Sequence, residues 1–384
     1  MTGLIDNLPS DWRQGLFLGR LGLPEGPTPV LVRGGRVIDI SRFAPTSAEA
    51  LAKPGFATAE GRDLGNLEDL HLAAEWDGEA AIRLLSPLDL QCVKASGVTF
   101  AVSAVERVIE ERARGDAERA QAIRADLAER VGADISSVKP GSEQAAVLKQ
   151  VLIADGLWSQ YLEVAIGKDA EIFTKTPILA SVGWGAWIGV RSDSHWNNPE
   201  PEVVVVCDPT GKPVGATLGN DVNLRDIEGR SALLLGKAKD NNASASVGPF
   251  IRLFDDGFTM DDVRAATVAL EVRGEDNFVM TGESSMSLIS RDPLELLGQT
   301  LSKDHQYPDG FALYLGTMFA PIEDRDTPGR GFTHKAGDVV TVSSERLGAL
   351  VNKVCDCAGA PPWTLGVTAL MRNLAGRGLL GGAQ

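Results

Sequence analysis

Cysteine is scarce in this chain of 384 residues, with four in all. So few in so long a chain do not make a disulfide framework. Cys355 and Cys357 stand two apart, but two sulfurs without a second pair are too few to bind a soft metal. Basic residues are outnumbered, 37 against 52 acidic, and the net charge of −15 disfavours nucleic acid or an anionic membrane as a partner. No apolar run approaches the ~20 residues needed to span a bilayer. Residues 1–9 show neither the basic start nor the apolar stretch of a signal peptide. The expectation is a cytoplasmic protein with a small-molecule partner. Its 43% hydrophobic and 23% charged composition is ordinary for a globular chain with one large core or two domains.

Against these absences stands Glu200-Pro201-Glu202, which runs directly into four valines at 203–206. The valines predict a buried strand, and a period of two sends Glu200 and Glu202 to one face. Two like charges side by side repel unless something positive lies between them, and a divalent cation is one solution. Taken alone, the pair reads as easily as a solvated strand edge. A turn at 208–211 precedes a third acid, Asp221, and a hairpin there would bring Asp221 back beside the pair. Three carboxylates and waters suit Mg²⁺ or Mn²⁺, because the nitrogen and sulfur candidates nearby, His195 and Cys207, are too few for zinc. Lys239 follows, and a lysine near a metal-bound carbonyl can carry an anion or a proton.

The remaining chain divides by pattern. Residues 1–90 contain strand candidates at 29–33 and 36–40 around Gly34-Gly35 and predict a small N-terminal α+β domain. Residues 91–384 form the expected catalytic domain. Within it, 103–131 predicts one long helix or two short ones and 143–166 another; strand-like runs then alternate with Gly and Pro turns. Residues 265–272 are ambiguous between helix and strand. The fold class expected is α+β, with a mainly β catalytic domain carrying helical insertions. Glu106 falls within the apolar stripe marked by Val102, Val105 and Ile109. It is either a buried carboxylate able to take a proton or a flank residue paired with a cation.

The order of these motifs, Glu200-x-Glu202, Asn220-Asp221-x-x-x-Arg225-Asp226, Lys239, Gly248-Pro249, Gly316-Thr317 and Gly337-Asp338, resembles the fumarylacetoacetate hydrolase family. Stretches 109–116, 155–163 and 305–311 resemble its sugar-acid dehydratase branch along the whole chain. Many members carry a histidine and a glutamate that together activate water; the corresponding stretch here, 97–106, has Ser103 in place of the histidine and keeps Glu106. The resemblance implies magnesium-dependent dehydration of a five-carbon 2-keto-3-deoxy acid, with hydrolysis of a carbon–carbon bond in a diketo acid as the alternative. It implies Glu200, Glu202 and Asp221 as metal ligands and a homo-oligomer, dimer or tetramer. Glu106 is then the preferred base, Lys239 stabilises an enolate or relays a proton, and His195, five residues before Glu200, is a candidate proton donor. Ser103, Arg225, Thr317 and Ser285 are candidate substrate contacts. Arg225 and Asp226 are expected to pair with each other in support of Asp221.

Overall fold

The computed structural model describes residues 3–78, 82–123, 136, 138–319, 321 and 323–380. Sixteen strands among them are β1 (Leu16–Leu23), β2 (Gly26–Arg33), β3 (Arg36–Asp39), β4 (Arg62–Asn66), β5 (Arg83–Leu85), β6 (Cys92–Gly97), β7 (Glu171–Thr176) and β8 (Trp187–Val190). They continue with β9 (Pro201–Cys207), β10 (Pro213–Asp221), β11 (Ala245–Leu253), β12 (Thr267–Arg273), β13 (Val279–Ser285), β14 (Phe311–Tyr314), β15 (Val339–Ser344) and β16 (Gly348–Asp356). Eleven strands form one sheet in the order β4-β3-β2-β1-β11-β10-β9-β14-β6-β7, with β5 on β1; the other five form a second sheet, β13-β12-β15-β16-β8.

The four valines of β9 show why the sheet lies where it does. Val203 and Val205 enter the main core, shared with Val268, Val272 and Val340 of the second sheet, while Val204 and Val206 face a separate core with Leu18, Ala95 and Tyr314. Alternation sends successive residues to opposite faces, and both faces are covered. Each buried valine contributes roughly 1.5–3 kcal/mol. At the β9–β10 turn, the Asp208 carboxylate accepts from the Thr210 and Lys212 amides at 2.8 and 3.1 Å, and Gly211 takes a φ of 83°. The tight turn sets the register that opposes Glu202 to Gly219.

The N-terminal strands continue this sheet, because β1 pairs with β11 through Phe17 and Leu18. The Gly34-Gly35 hairpin forms between β2 and β3. Residues 260–265 are helical and β12 starts at Thr267, which resolves the ambiguity there.

Four helices matter for the site: α1 (Ala101–Ala113), α2 (Glu143–Ala154), α3 (Gln160–Ile166) and α4 (Leu235–Lys239). The helical stretch expected over 103–131 ends first at Arg114, which adopts a φ of 58°, and resumes at 117–123. Its remainder, 124–131, lies outside the described residues. Gly115 follows at a φ of 74°, where a Cβ would stand 2.3 Å from the Asp226 carbonyl oxygen, so α1 can turn against that loop only through a glycine. The helix expected over 143–166 divides at Gly156, and Ser159 caps α3 by accepting from the Tyr161 amide. Val105, Ile109, Leu152, Leu162 and Trp196 build a third core that seats α1 over the end of β9. No helix among the described residues is long and apolar enough to cross a membrane.

Candidate active site

The β9–β10 hairpin brings the three acids together. Glu200 immediately precedes β9, Glu202 is its second residue and Asp221 closes β10; the Asp221 amide donates to the Glu200 carbonyl at 3.0 Å. One oxygen from each carboxylate lies within 4.8 Å of the others, and all three residues are at most 3% exposed. Such crowding of buried acids is costly without positive charge.

Three cations answer part of it. Lys239, at the end of α4, reaches Glu200 and lies 3.2 Å from Asp221; Lys175 of β7 stands 2.6 Å from Asp221; Arg107 of α1 donates to Glu200. Burial acts against the charged Asp221, but Lys175 and Lys239 outweigh it and hold the carboxyl below its ordinary pKa. Glu202 makes none of these ion pairs, and Lys239 acts on it only at longer range. Burial, then Asp221 and Glu200, push it well above the carboxylate range, and Lys239 and the Gly316 amide at 2.7 Å offset only part of this. The donor set is all oxygen and tightly grouped, and Glu202 stands outside these ion pairs, which fits a hard divalent cation such as Mg²⁺ or Mn²⁺.

Beneath α1 lies a second, alternating network. Arg225 donates to Glu106 at 2.8 Å, Glu110 at 2.6 Å and the Pro321 carbonyl at 2.8 Å, and its guanidinium lies 4.6 Å above the Trp196 ring. Arg107 donates to Glu110 at 2.6 Å and stands 2.8 Å from Glu228. The expected pairing of Arg225 with Asp226 does not occur. Asp226 instead accepts from the Ser194 hydroxyl and the His195 amide at 2.8 and 2.7 Å, because the chain turns into a short helix at 225–228 and sends the two neighbours in different directions.

A cavity of about 10 Å³ lies beside this network, and it brings together Ser103, Glu106, Arg225 and Thr317 beside Glu200. His195 and Ser285 do not line it. His195 is exposed, and Ser285 bonds to the Ser287 hydroxyl at 2.8 Å on the edge strand β13.

Sequence reasoning missed Arg107, Lys175 and Glu171. The signal for the last two was present, since Glu171, Phe173 and Lys175 share one face of β7. Lys239 Nζ lies 5.8 Å above the Phe173 ring. Burial raises the pKa of Glu171 against the opposing charges of Arg107 and Lys239. Gly97 of β6 makes room for it, because a Cβ there would meet the Glu171 carboxylate at 2.0 Å.

Residues 214–355, from β10 through most of β16, match the family model described as fumarylacetoacetate (FAA) hydrolase C-terminal. This stretch is a fumarylacetoacetate hydrolase C-terminal domain. The chain is 32% identical over 187 residues to the 2-dehydro-3-deoxy-D-arabinonate dehydratase of Saccharolobus solfataricus, a match covering 48% of this chain and 58% of that protein. It is 29% identical over 194 residues to a probable 2-keto-3-deoxyxylonate dehydratase of Haloferax volcanii, covering 50% and 63% respectively. The matched region thus spans less than two thirds of either relative. Among solved structures, 2-keto-3-deoxy-D-arabinonate dehydratase superposes in its apo form and in its complex with magnesium and 2,5-dioxopentanoate. Each superposition has a TM-score of 0.64 at 22% identity and covers 88% of this chain and 99% of that one. The shared architecture is the fumarylacetoacetate hydrolase fold.

Proposed function

We propose that the chain is a metal-dependent hydro-lyase that converts 2-keto-3-deoxy-D-xylonate, the same compound as 2-keto-3-deoxy-D-arabinonate, to 2,5-dioxopentanoate. The observation that carries this reading is the buried meeting of Glu200, Glu202 and Asp221 with Lys239 against two of them. Glu200, Glu202 and Asp221 would hold Mg²⁺, with Mn²⁺ as a substitute. When bound, such an ion acts as a Lewis acid toward a 2-keto acid and favours its enolate.

The chain's own residues supply the proton chemistry in this scheme. Lys239 stays charged, since Asp221 and Glu200 outweigh the burial that disfavours its ammonium, and it balances the negative charge that develops on the substrate. Glu106, ion-paired with Arg225 at the cavity wall, takes a proton from C3. Glu171, whose burial favours the neutral acid, gives its proton to the C4 hydroxyl as the C4–O bond breaks and water leaves. Glu171 is then a carboxylate and accepts a proton from C5, while Glu106 returns its proton to C3; the resulting enol becomes the aldehyde by tautomerisation. Both carboxyl groups end as they began. Ser103 and Thr317 line the cavity with their hydroxyls bonded to the Phe100 and Phe319 carbonyls at 2.8 and 2.9 Å, and they shape the space around the substrate.

The reading is tested by incubating the full chain with 2-keto-3-deoxy-D-xylonate and Mg²⁺, with and without chelator, and identifying the product by NMR. One chelator-sensitive semialdehyde supports it. Absence of that product, with two fragments formed from a diketo acid, favours the hydrolase alternative. The resemblance also implies a homo-oligomer, which sedimentation of the purified chain tests.

A further inference from the structure

Among the described residues that line the cavity, one carries a polar atom that no protein partner uses. Asn198, 3% exposed, lines the cavity beside Glu200. Its backbone is fixed by reciprocal 3.0 Å bonds with Asn223, and its side-chain Nδ2 donates to the Pro199 carbonyl at 2.9 Å. A carbonyl oxygen can only accept, so this bond fixes the amide orientation and leaves Oδ1 as the unpaired acceptor of a residue that lines the cavity. Among the described residues, no protein donor reaches Oδ1. The other hydrogen-bonding side chains that line the cavity are committed, while the amide of neighbouring Asn223 is also without a partner among the described residues. Ser103 and Thr317 donate to backbone carbonyls, and the two arginines face carboxylates. A buried acceptor in this state calls for a donor.

The space defines that donor. A cavity of about 10 Å³ admits about one water-sized group, and an anion would be repelled by the carbonyl oxygen and by Glu106, Glu110 and Glu200 around it. An uncharged hydroxyl fits. We propose that Asn198 determines specificity by accepting a hydrogen bond from the terminal C5 hydroxyl of the substrate, an inference that rests on the dehydratase reading above. The C4 hydroxyl is the wrong partner on chemical grounds. It must gain a proton to leave, and an acceptor draws its proton the other way. With the keto-acid end of the substrate at the three acids, the C5 hydroxyl is the one that remains to be recognised.

The test uses calorimetry on the full chain with Mg²⁺ and two acids that lack a C4 hydroxyl and so cannot be dehydrated, 5-hydroxy-2-oxopentanoate and 2-oxopentanoate. The wild type should bind the hydroxylated acid about 5- to 150-fold more tightly, the range for one hydrogen bond whose loss leaves a buried acceptor unpaired. Asn198→Ala should bring the ratio to about 1 while binding 2-oxopentanoate like the wild type. Asn198→Asp keeps the acceptor oxygen and should keep the preference, since its added charge weakens both acids alike. A wild-type ratio near 1, an undiminished ratio in Asn198→Ala, or loss of the preference in an Asn198→Asp variant that still binds 2-oxopentanoate overturns the assignment. Failure of 2-oxopentanoate to bind the wild type in a chelator-sensitive way overturns the dehydratase reading itself, a result distinct from a lost preference.

Discussion

Replacing Arg107 by methionine should weaken the fold and strengthen metal binding at once. In the metal-free protein the Arg107 guanidinium serves Glu200, Glu110 and Glu228, all buried. Removing one partner from a buried ion pair costs about 3–5 kcal/mol, because the remaining charge is left uncompensated. Arg225 still faces Glu110, which holds the expected loss within that range and within the 5–15 kcal/mol that a domain typically has. Metal affinity should move the other way. Arg107 competes for a Glu200 oxygen that a cation would use, and a unit charge 4 Å away contributes on the order of 4 kcal/mol at an effective dielectric of 20. Discounted for rearrangement of Lys239, this predicts a gain of at least about tenfold, or ~1.4 kcal/mol, in Mg²⁺ affinity. Urea unfolding in chelator and calorimetric Mg²⁺ titration measure the two effects on the same protein. Unchanged stability in chelator, or weaker Mg²⁺ binding by a folded Arg107→Met variant, would refute the reasoning.

Other outcomes follow from neighbouring groups. Glu171→Gln should retain metal binding and lose about 10²–10⁴-fold in kcat, the usual contribution of a general acid or base; wild-type turnover would remove Glu171 from the scheme. Gly97→Ala should lower kcat without changing metal affinity, since the new methyl group occupies the place of the Glu171 carboxylate; stopped-flow rates and a metal titration distinguish this from general misfolding. Burial pushes Glu228 up from 4.5 to about 7 despite Arg107, so the folded protein binds this proton more tightly than the unfolded chain does. Stability of the metal-free protein should therefore fall as pH rises from 4.5 to about 7, where the unfolded state has lost the proton and the folded state retains it. Glu228→Gln should flatten that part of the curve, and an unaltered urea-midpoint profile would count against the assignment.

What could be read from the sequence was local. The valines at 203–206 and the Gly34-Gly35 hairpin carry their own periodicity and turn chemistry, and the hairpin return of Asp221 follows once the turn at Asp208 is recognised. The three acids gather as that spacing implied. What could not be read depends on partners far apart in the chain. Arg225 bonds to Glu110, 115 positions away, rather than to adjacent Asp226. Arg107 sits beside Glu106 in sequence, yet the two reach different partners, Glu200 for one and Arg225 for the other. Strand patterns also do not name neighbours, so nothing in residues 1–90 indicated that β1 would pair with β11. The stretch 103–131, expected as one long helix or two short ones, breaks at Arg114 in a left-handed conformation, and the pattern alone did not place that break.

The proposed chemistry depends on the three buried acids forming one divalent-cation site. Calorimetric titration of Mn²⁺ into the chelator-treated wild type and into Asp221→Asn tests it most directly. One site per chain is expected in the wild type, and none in the variant. Absence of binding in the wild type, or equal binding in both, would contradict it.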